Sequence, residues 1–121
     1  MSDLLLDDIL ADIEEFIKIV LVRTANIHAA DDFISDDNSI ILFDSVLMRL
    51  QAIGELFKSA ESRYKECFET YKNDDIIGII KLRDIISHHY IDLDADIIFD
   101  ICKNHLPNLI ASIQEIRKNC L

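Results

Sequence analysis

The chain contains very few residues that form tight turns. Its 121 residues include 2 Gly and 1 Pro. A β-sandwich or barrel of this length needs many turns of the Gly or Pro type, and a glycine-rich phosphate loop is excluded for the same reason. Half of the residues are hydrophobic, which excludes intrinsic disorder. We therefore expect an all-α protein that folds as a single domain over residues 1–121.

The charge is strongly acidic. The chain has 12 Lys+Arg against 23 Asp+Glu, a formal net charge of -11. Non-specific nucleic-acid binding depends on a basic surface, so an RNA ligand would need a local cationic site or the help of a partner. The N-terminus, MSDLLLDDIL, has acids where a signal peptide has bases, and apolar runs such as Ile19–Val22 are far too short to span a membrane. We expect a cytoplasmic protein without a membrane partner.

The cysteines argue against a metal site. Cys67, Cys102 and Cys120 are widely spaced, odd in number and form no C-x-x-C pair. Neither a zinc site nor a disulfide framework is expected from this pattern. We expect three reduced thiols, no bound metal and no cofactor.

Apolar residues recur at steps of three and four, the period of an amphipathic helix. The pattern predicts helices over about residues 3–23, 37–62 and 74–88, the first of them capped by Asp3. A short helix is expected within Ala25–Ile34.

The second half of the chain is more ambiguous. Residues 63–71 are semi-polar, and we predict an irregular segment there. Asp92 or Asp94 caps a fourth helix, and Pro107 either ends or kinks it or lies near the start of a final helix over 108–119. The expected fold is a four- or five-helix up-and-down bundle.

Two features of the predicted helices indicate close packing. Gly54 lies within the second helix, where glycine is about 1 kcal/mol less favourable than alanine, so we expect it to permit close contact with the first helix or a second subunit. The third helix is apolar on nearly all sides and must be buried on several of them. We expect at least a dimer that associates through this helix.

The stretch KLRDIISHHY, residues 81–90, concentrates chemically active side chains. Arg83 offers a fork of N–H donors to phosphate oxygens. His88 titrates near neutral pH and can take a proton from a 2′-hydroxyl or give one to a leaving oxygen. Adjacent histidines on a helix cannot both face one metal ion. Phosphodiester chemistry without a metal is one interpretation, and simple capping of the helix end is the other.

The spacing limits how Arg83 and His88 can cooperate. Five residues on an ideal helix correspond to about 140°, so the two side chains do not share a face. They could meet if His88 lies at a frayed helix end. They could also meet if a two-fold axis brings two copies of the segment together, which would build a composite cleft.

The motif resembles a known family. Arg83-Asp84-x-x-x-His88-x-Tyr90 is similar to the R-x4-6-H signature of HEPN-domain ribonucleases, in the R-x4-H-x-Y form of HepT toxins. The IGE of residues 53–55, the YIDLD of 90–94 and the LP of 106–107 also resemble that family. Asp84 departs from the frequent Asn and adds negative charge beside Arg83.

The resemblance implies a HEPN-like bundle, dimeric through its motif-bearing helices. It implies a metal-independent ribonuclease toxin of a type VII-like toxin–antitoxin pair, with Arg83 holding the scissile phosphate and His88 acting as general acid or base. A minimal nucleotidyltransferase antitoxin would neutralise it by transferring AMP to Tyr90, and the two proteins could form larger hetero-oligomers. RNA would be the substrate.

The sequence leaves the roles of several other residues, and one alternative function, undecided. His89 competes with His88, although the H-x-Y register selects His88. Lys81, Lys72 and Lys103 either add phosphate contacts or are ordinary surface lysines. The alternative function is a non-catalytic HEPN-like subunit that partners a nucleotidyltransferase. It is favoured by the net charge of -11 and by Asp84.

Overall fold

The computed structural model describes residues 4–121, and helices joined by short connections make up this part of the chain, with no strand in it. The helices are α1 (Leu4–Arg23), α2 (Asp37–Arg63), α3 (Lys65–Tyr71), α4 (Asp74–His88), α5 (Ala95–Asp100) and α6 (Leu106–Cys120). Short 3-10 turns cover Ala30–Phe33 and Tyr90–Asp92, and the π-helical segment Ile101–His105 joins α5 to α6 without a break. The all-α prediction is confirmed. No helix within residues 4–121 combines the length and apolar character needed to cross a bilayer.

Side-chain caps begin three of the helices at the predicted places. The Asp36 carboxylate accepts from the Ser39 amide at 2.8 Å ahead of α2. Asn73 caps α4 at 3.0 Å from the Ile76 amide, and Asp94 caps α5. Each cap satisfies an amide that the helix itself leaves without a partner. The predicted cap Asp3 lies outside the described residues.

One apolar core fills the bundle. α2 packs along α4 on one side and against α1 on another, and α6 closes the core against α1 and α3. Full burial of such side chains contributes about 1.5–3 kcal/mol each. Completely buried members come from every long helix: Leu10, Ile13, Leu50, Ile53, Phe57, Ile76, Ile113 and Ile116.

The close contact at Gly54 differs from the prediction, because it is made with α4 rather than with α1 or a second subunit. A Cβ added at Gly54 would lie 2.5 Å from the Arg83 Cβ and 2.7 Å from the Ile79 carbonyl oxygen. Since helical periodicity identifies a buried face without identifying its neighbour, the sequence did not reveal this partner. Gly54 therefore sets the distance between α2 and the motif-bearing helix.

The prediction of an irregular segment over residues 63–71 is wrong. Lys65–Tyr71 form α3, because Phe68 turns into the core and is 1% exposed. Short helices with one apolar anchor carry too little periodicity to be recognised from sequence. Pro107 follows the second of its two predicted arrangements: it lies in the first turn of α6, where a missing amide hydrogen is tolerated.

The expectation of three reduced thiols is wrong for two cysteines. Cys67 of α3 and Cys120 at the end of α6 form a disulfide with Cα atoms 6.2 Å apart. The two residues are separated by 53 positions in the chain, and only the fold brings α3 beside the end of α6. Cys102 is a free, buried thiol, and burial raises its pKa to about 12.

Candidate active site

Arg83 is held between two carboxylates. Its Nε donates to Glu55 Oε2 of α2 at 2.6 Å, Nη2 pairs with the same oxygen, and Nη1 donates to Asp84 Oδ1 at 2.7 Å. A guanidinium has five N–H donors, so one hydrogen on each terminal nitrogen is left for another acceptor. The bonds to Asp84 and then Glu55 raise the pKa of Arg83, and Arg83 lowers the pKa of Asp84.

His88 is the last residue of α4. Its side chain is exposed and makes no hydrogen bond or ion pair with any residue of the described chain. The helix stays regular to its end, since the His89 amide donates to the Ile85 carbonyl at 2.7 Å. Ser87 accepts from Gln51 of α2 at 2.9 Å. The end of α4 is therefore not frayed, so Arg83 and His88 do not meet in that way. That a two-fold axis brings them together from two subunits stays a prediction.

Tyr90 begins the 3-10 turn after α4 and lies against α2. Its hydroxyl donates to Asp44 Oδ1 at 2.7 Å, and that bond raises the pKa of Tyr90. The ring is half exposed and borders a shallow cavity of about 220 Å³ at the side of α2 that also reaches Met48 and Gln51. The hydroxyl is thus oriented, and its ring is accessible.

The remaining candidates have different surroundings. His89 is exposed with Nδ1 3.9 Å from an Asp92 carboxylate oxygen. Lys81 is exposed and has no partner among the described residues. Lys72 pairs with Glu61 at 2.8 Å.

Lys103 serves packing rather than the motif region. Its Nζ donates to the Thr24 carbonyl oxygen at 2.8 Å and lies 5.9 Å from the centre of the Phe99 ring. The bond to Thr24 anchors the π-helical segment to the end of α1, and the contact with Phe99 is made to the preceding turn of α5.

Sequence reasoning missed the contribution of α2. Asp44, Gln51 and Glu55 contact Tyr90, Ser87 and Arg83 respectively. Their spacing of seven and four residues places them on one face of a helix. That spacing was visible in the sequence, but only the packing of α2 on α4 gives it meaning. Among residues 4–121, no group of three or more His, Cys, Asp or Glu side chains is arranged to hold a metal ion.

Comparisons with known proteins agree on one family. The family model described as "Ribonuclease HepT-like" matches residues 6–116. A protein of Methanocaldococcus jannaschii named "Putative RNase MJ0127" is 33% identical over 110 residues, which cover 91% of this chain and 85% of that protein. No solved structure matches the chain.

Proposed function

The chain belongs to the HepT-like ribonuclease family, and we propose that it is an endoribonuclease that uses Arg83 and His88 and needs no metal ion. One observation carries the proposal: a guanidinium with two of its five N–H groups free and an imidazole without a hydrogen-bond partner lie on either side of the same carboxylate, that of Asp84. Arg83 is the main cause of the lowered pKa of Asp84, and the charges of Lys58 and His88 lower it further. Two cationic side chains, Arg83 and Lys58, thus act on one carboxylate of an acidic protein.

The proposed chemistry follows from these two side chains. The free N–H groups of Arg83 bind the non-bridging oxygens of the scissile phosphate and stabilise their developing charge. His88 accepts the proton of the 2′-hydroxyl as that oxygen attacks phosphorus, and the 5′-oxygen leaves with a proton from an acid. The products are a 2′,3′-cyclic phosphate and a 5′-hydroxyl. Water supplies that proton.

A homodimer through the motif-bearing face fits this scheme. Large apolar side chains surround the site in the isolated chain: Met48 of α2 is 72% exposed and Ile91, beyond Tyr90, is 94% exposed. Ile41 of α2 and Ile85 of α4 are also exposed. Exposed apolar residues grouped in this way are typical of interaction sites. The two-fold places two copies of Arg83 and His88 in one cleft.

Tyr90 is the proposed control point. A cognate minimal nucleotidyltransferase, acting as antitoxin, transfers AMP from ATP to its hydroxyl. The added phosphate brings negative charge and bulk to the face that carries Arg83 and His88, and both oppose RNA binding. The protein is then the toxin of a type VII-like pair in the cytoplasm, and it joins its antitoxin in a larger hetero-oligomer.

The second candidate function is a non-catalytic subunit that binds a nucleotidyltransferase. One observation favours it: Glu55 and Asp84 already occupy Arg83, in a chain whose net charge is -11. An RNA phosphate must compete with both carboxylates. Under this alternative the same face binds protein and never cleaves RNA.

Cleavage in EDTA decides between the two functions. Purified, unmodified protein is incubated with RNA, with His88→Ala as the test and His89→Ala as the matched neighbour. Loss of general acid–base catalysis predicts a fall of about 10²–10⁴-fold for His88→Ala only. Equal loss in His89→Ala would reject the assignment of His88. Uncut RNA with wild-type protein would favour the binding subunit.

A further inference from the structure

Basic side chains without a partner gather at the corner between α2 and α3. Six of the 12 Lys and Arg side chains of this acidic protein are held by carboxylates, carbonyls or aromatic rings. Within residues 4–121, Lys58, Arg63 and Lys65 are exposed and form no hydrogen bond or ion pair. With 23 Asp+Glu against 12 Lys+Arg in the chain, acidic partners are plentiful. Lys81 and Lys118 also lack a partner within residues 4–121, but Lys58, Arg63 and Lys65 are grouped within residues 58–65.

Helix stability explains only part of this cluster. Arg63 lies in the last turn of α2, where a cation interacts favourably with the helix dipole. Lys65 is the first residue of α3, where the dipole disfavours a cation. Lys58 lies in the body of α2, more than a turn before its end. Lys58 and Lys65 thus need another explanation.

The two lysines line an open groove. It has a volume of about 410 Å³ between the C-terminal part of α2 and α3. Its polar lining consists of Lys58, Glu61, Ser62, Lys65, Glu69 and Lys72. Lys72 and Glu61 form an ion pair at 2.8 Å, and the whole lining has three lysines against two glutamates, the second being Glu69. The floor is the buried ring of Phe68.

The groove continues directly from the proposed catalytic site. Gln51, Glu55 and Lys58 follow one another on one face of α2 at steps of four and three residues. Glu55 binds Arg83, and Lys58 lies about 4.5 Å further along the helix axis. The charge of Lys58 also contributes to the lowered pKa of Asp84, after Arg83. Glu55, which holds Arg83, and Lys58, which lines the groove, are thus less than one helical turn apart along α2.

We propose that the groove lined by Lys58 and Lys65 binds the sugar–phosphate backbone of the RNA strand that leads away from the scissile phosphate. This inference rests on the proposed ribonuclease function. Lysine binds phosphate as a point charge, and an unpaired lysine does so without first breaking an ion pair. Backbone contacts position a strand without reading its bases. The groove therefore directs a single strand past Arg83 and His88 with little sequence preference.

The test is RNA binding measured apart from cleavage. In the His88→Ala background, the double variant Lys58→Gln/Lys65→Gln is titrated with fluorescein-labelled single-stranded RNA at several salt concentrations. The matched control is Lys18→Gln/Lys118→Gln, which makes the same charge change on α1 and α6. Two lost phosphate contacts predict a log–log salt slope that is smaller by about 1.4. We also expect affinity to fall about tenfold or more at moderate salt, with under twofold change in the control.

The outcomes separate the groove from the catalytic proposal. Equal losses of RNA affinity in both double variants, or no measurable RNA binding, would overturn the proposal that the groove binds RNA. Uncut RNA with wild-type protein, together with binding that depends on Lys58 and Lys65, would overturn the ribonuclease proposal and keep the groove. All four substituted lysines are exposed, so matching thermal unfolding midpoints will show that each variant is folded.

Discussion

Single residues at this site act through their neighbours. Arg83 was predicted to bind phosphate because a guanidinium offers a fork of N–H donors and because the motif around it resembles that of HepT toxins. Its two carboxylate partners were not equally visible: Asp84 is adjacent in sequence, whereas Glu55 reaches Arg83 only because α2 packs on α4. The same holds for Tyr90, whose bond to Asp44 spans 46 positions of the chain. The chemical role of these side chains was predictable from the sequence, whereas the residues that they contact were not.

Asp84→Asn should strengthen substrate binding. The substitution removes one of the two negative charges that compete with an RNA phosphate for Arg83. We expect KM for RNA cleavage to fall about two- to fivefold, the modest effect typical of an exposed ion pair, with kcat nearly unchanged. Steady-state kinetics at constant salt measure this. The exposed aspartate Asp96→Asn, on α5, is the control, and an unchanged or higher KM in Asp84→Asn would contradict the prediction.

At the scale of elements, caps were predictable and helix contacts were not. α2 and α4 begin where Asp36 and Asn73 cap them, because capping is a local interaction that sequence alone encodes. α3 was missed since its stability comes from Phe68 packing into a core built by distant residues. The helix predicted to contact Gly54 was wrong for the same reason, since this contact also depends on residues distant in the chain.

The two glycines form a matched pair for testing the contact between α2 and α4. Gly54→Ala should destabilise the protein by about 1–3 kcal/mol through overpacking, because its Cβ would meet Arg83 and the Ile79 carbonyl oxygen. Gly78→Ala meets nothing within 4 Å and should stabilise α4 by about 0.5–1 kcal/mol. Urea unfolding measures both. If both substitutions changed the free energy of unfolding in the same direction, helix propensity and not close contact would govern the effect at Gly54.

The junction of α4 with the π-helical segment should respond to pH. His105 Nδ1 is 2.6 Å from Asp75 Oδ1 and Nε2 is 3.1 Å from Asp100 Oδ2. Asp75, and then Asp100, raise the folded-state pKa of His105. Its stabilising contribution is therefore complete below the unfolded pKa of about 6.5 and is lost as pH rises through the folded pKa.

His105→Gln tests this pH dependence. The difference in unfolding free energy between wild-type protein and the variant should be largest near about pH 6 and shrink towards about pH 9. Urea titrations at several pH values measure it, and Asp75→Asn should flatten the same trend. A difference that stays constant, or that grows with pH, would show that the ion pairs of His105 do not stabilise the junction.

At the scale of the whole molecule, the disulfide ties α3 to the C-terminal end of the bundle. Cys67 and Cys120 close a loop of 53 residues, which corresponds to about 4 kcal/mol in the chain-entropy estimate. A reductant should lower the urea midpoint of wild-type protein, and this effect should vanish in Cys67→Ser but persist in Cys102→Ser. Unfolded, non-reduced protein should contain one reactive thiol. Three reactive thiols would contradict the bond.

Mixing two inactive variants tests whether each active site is shared between two subunits. If Arg83 of one subunit works with His88 of the other, an Arg83→Ala/His88→Ala heterodimer contains one doubly altered site and one intact site. Random mixing of the two inactive variants makes half of the dimers heterodimers, so activity should recover to about a quarter of the wild-type level. If both groups act within one subunit, no mixed dimer holds an intact site and mixing restores nothing. RNA cleavage after co-refolding measures the recovery, with each variant refolded alone as the control. The five-residue spacing on a regular α4 favours recovery, because the two side chains leave one helix on different faces.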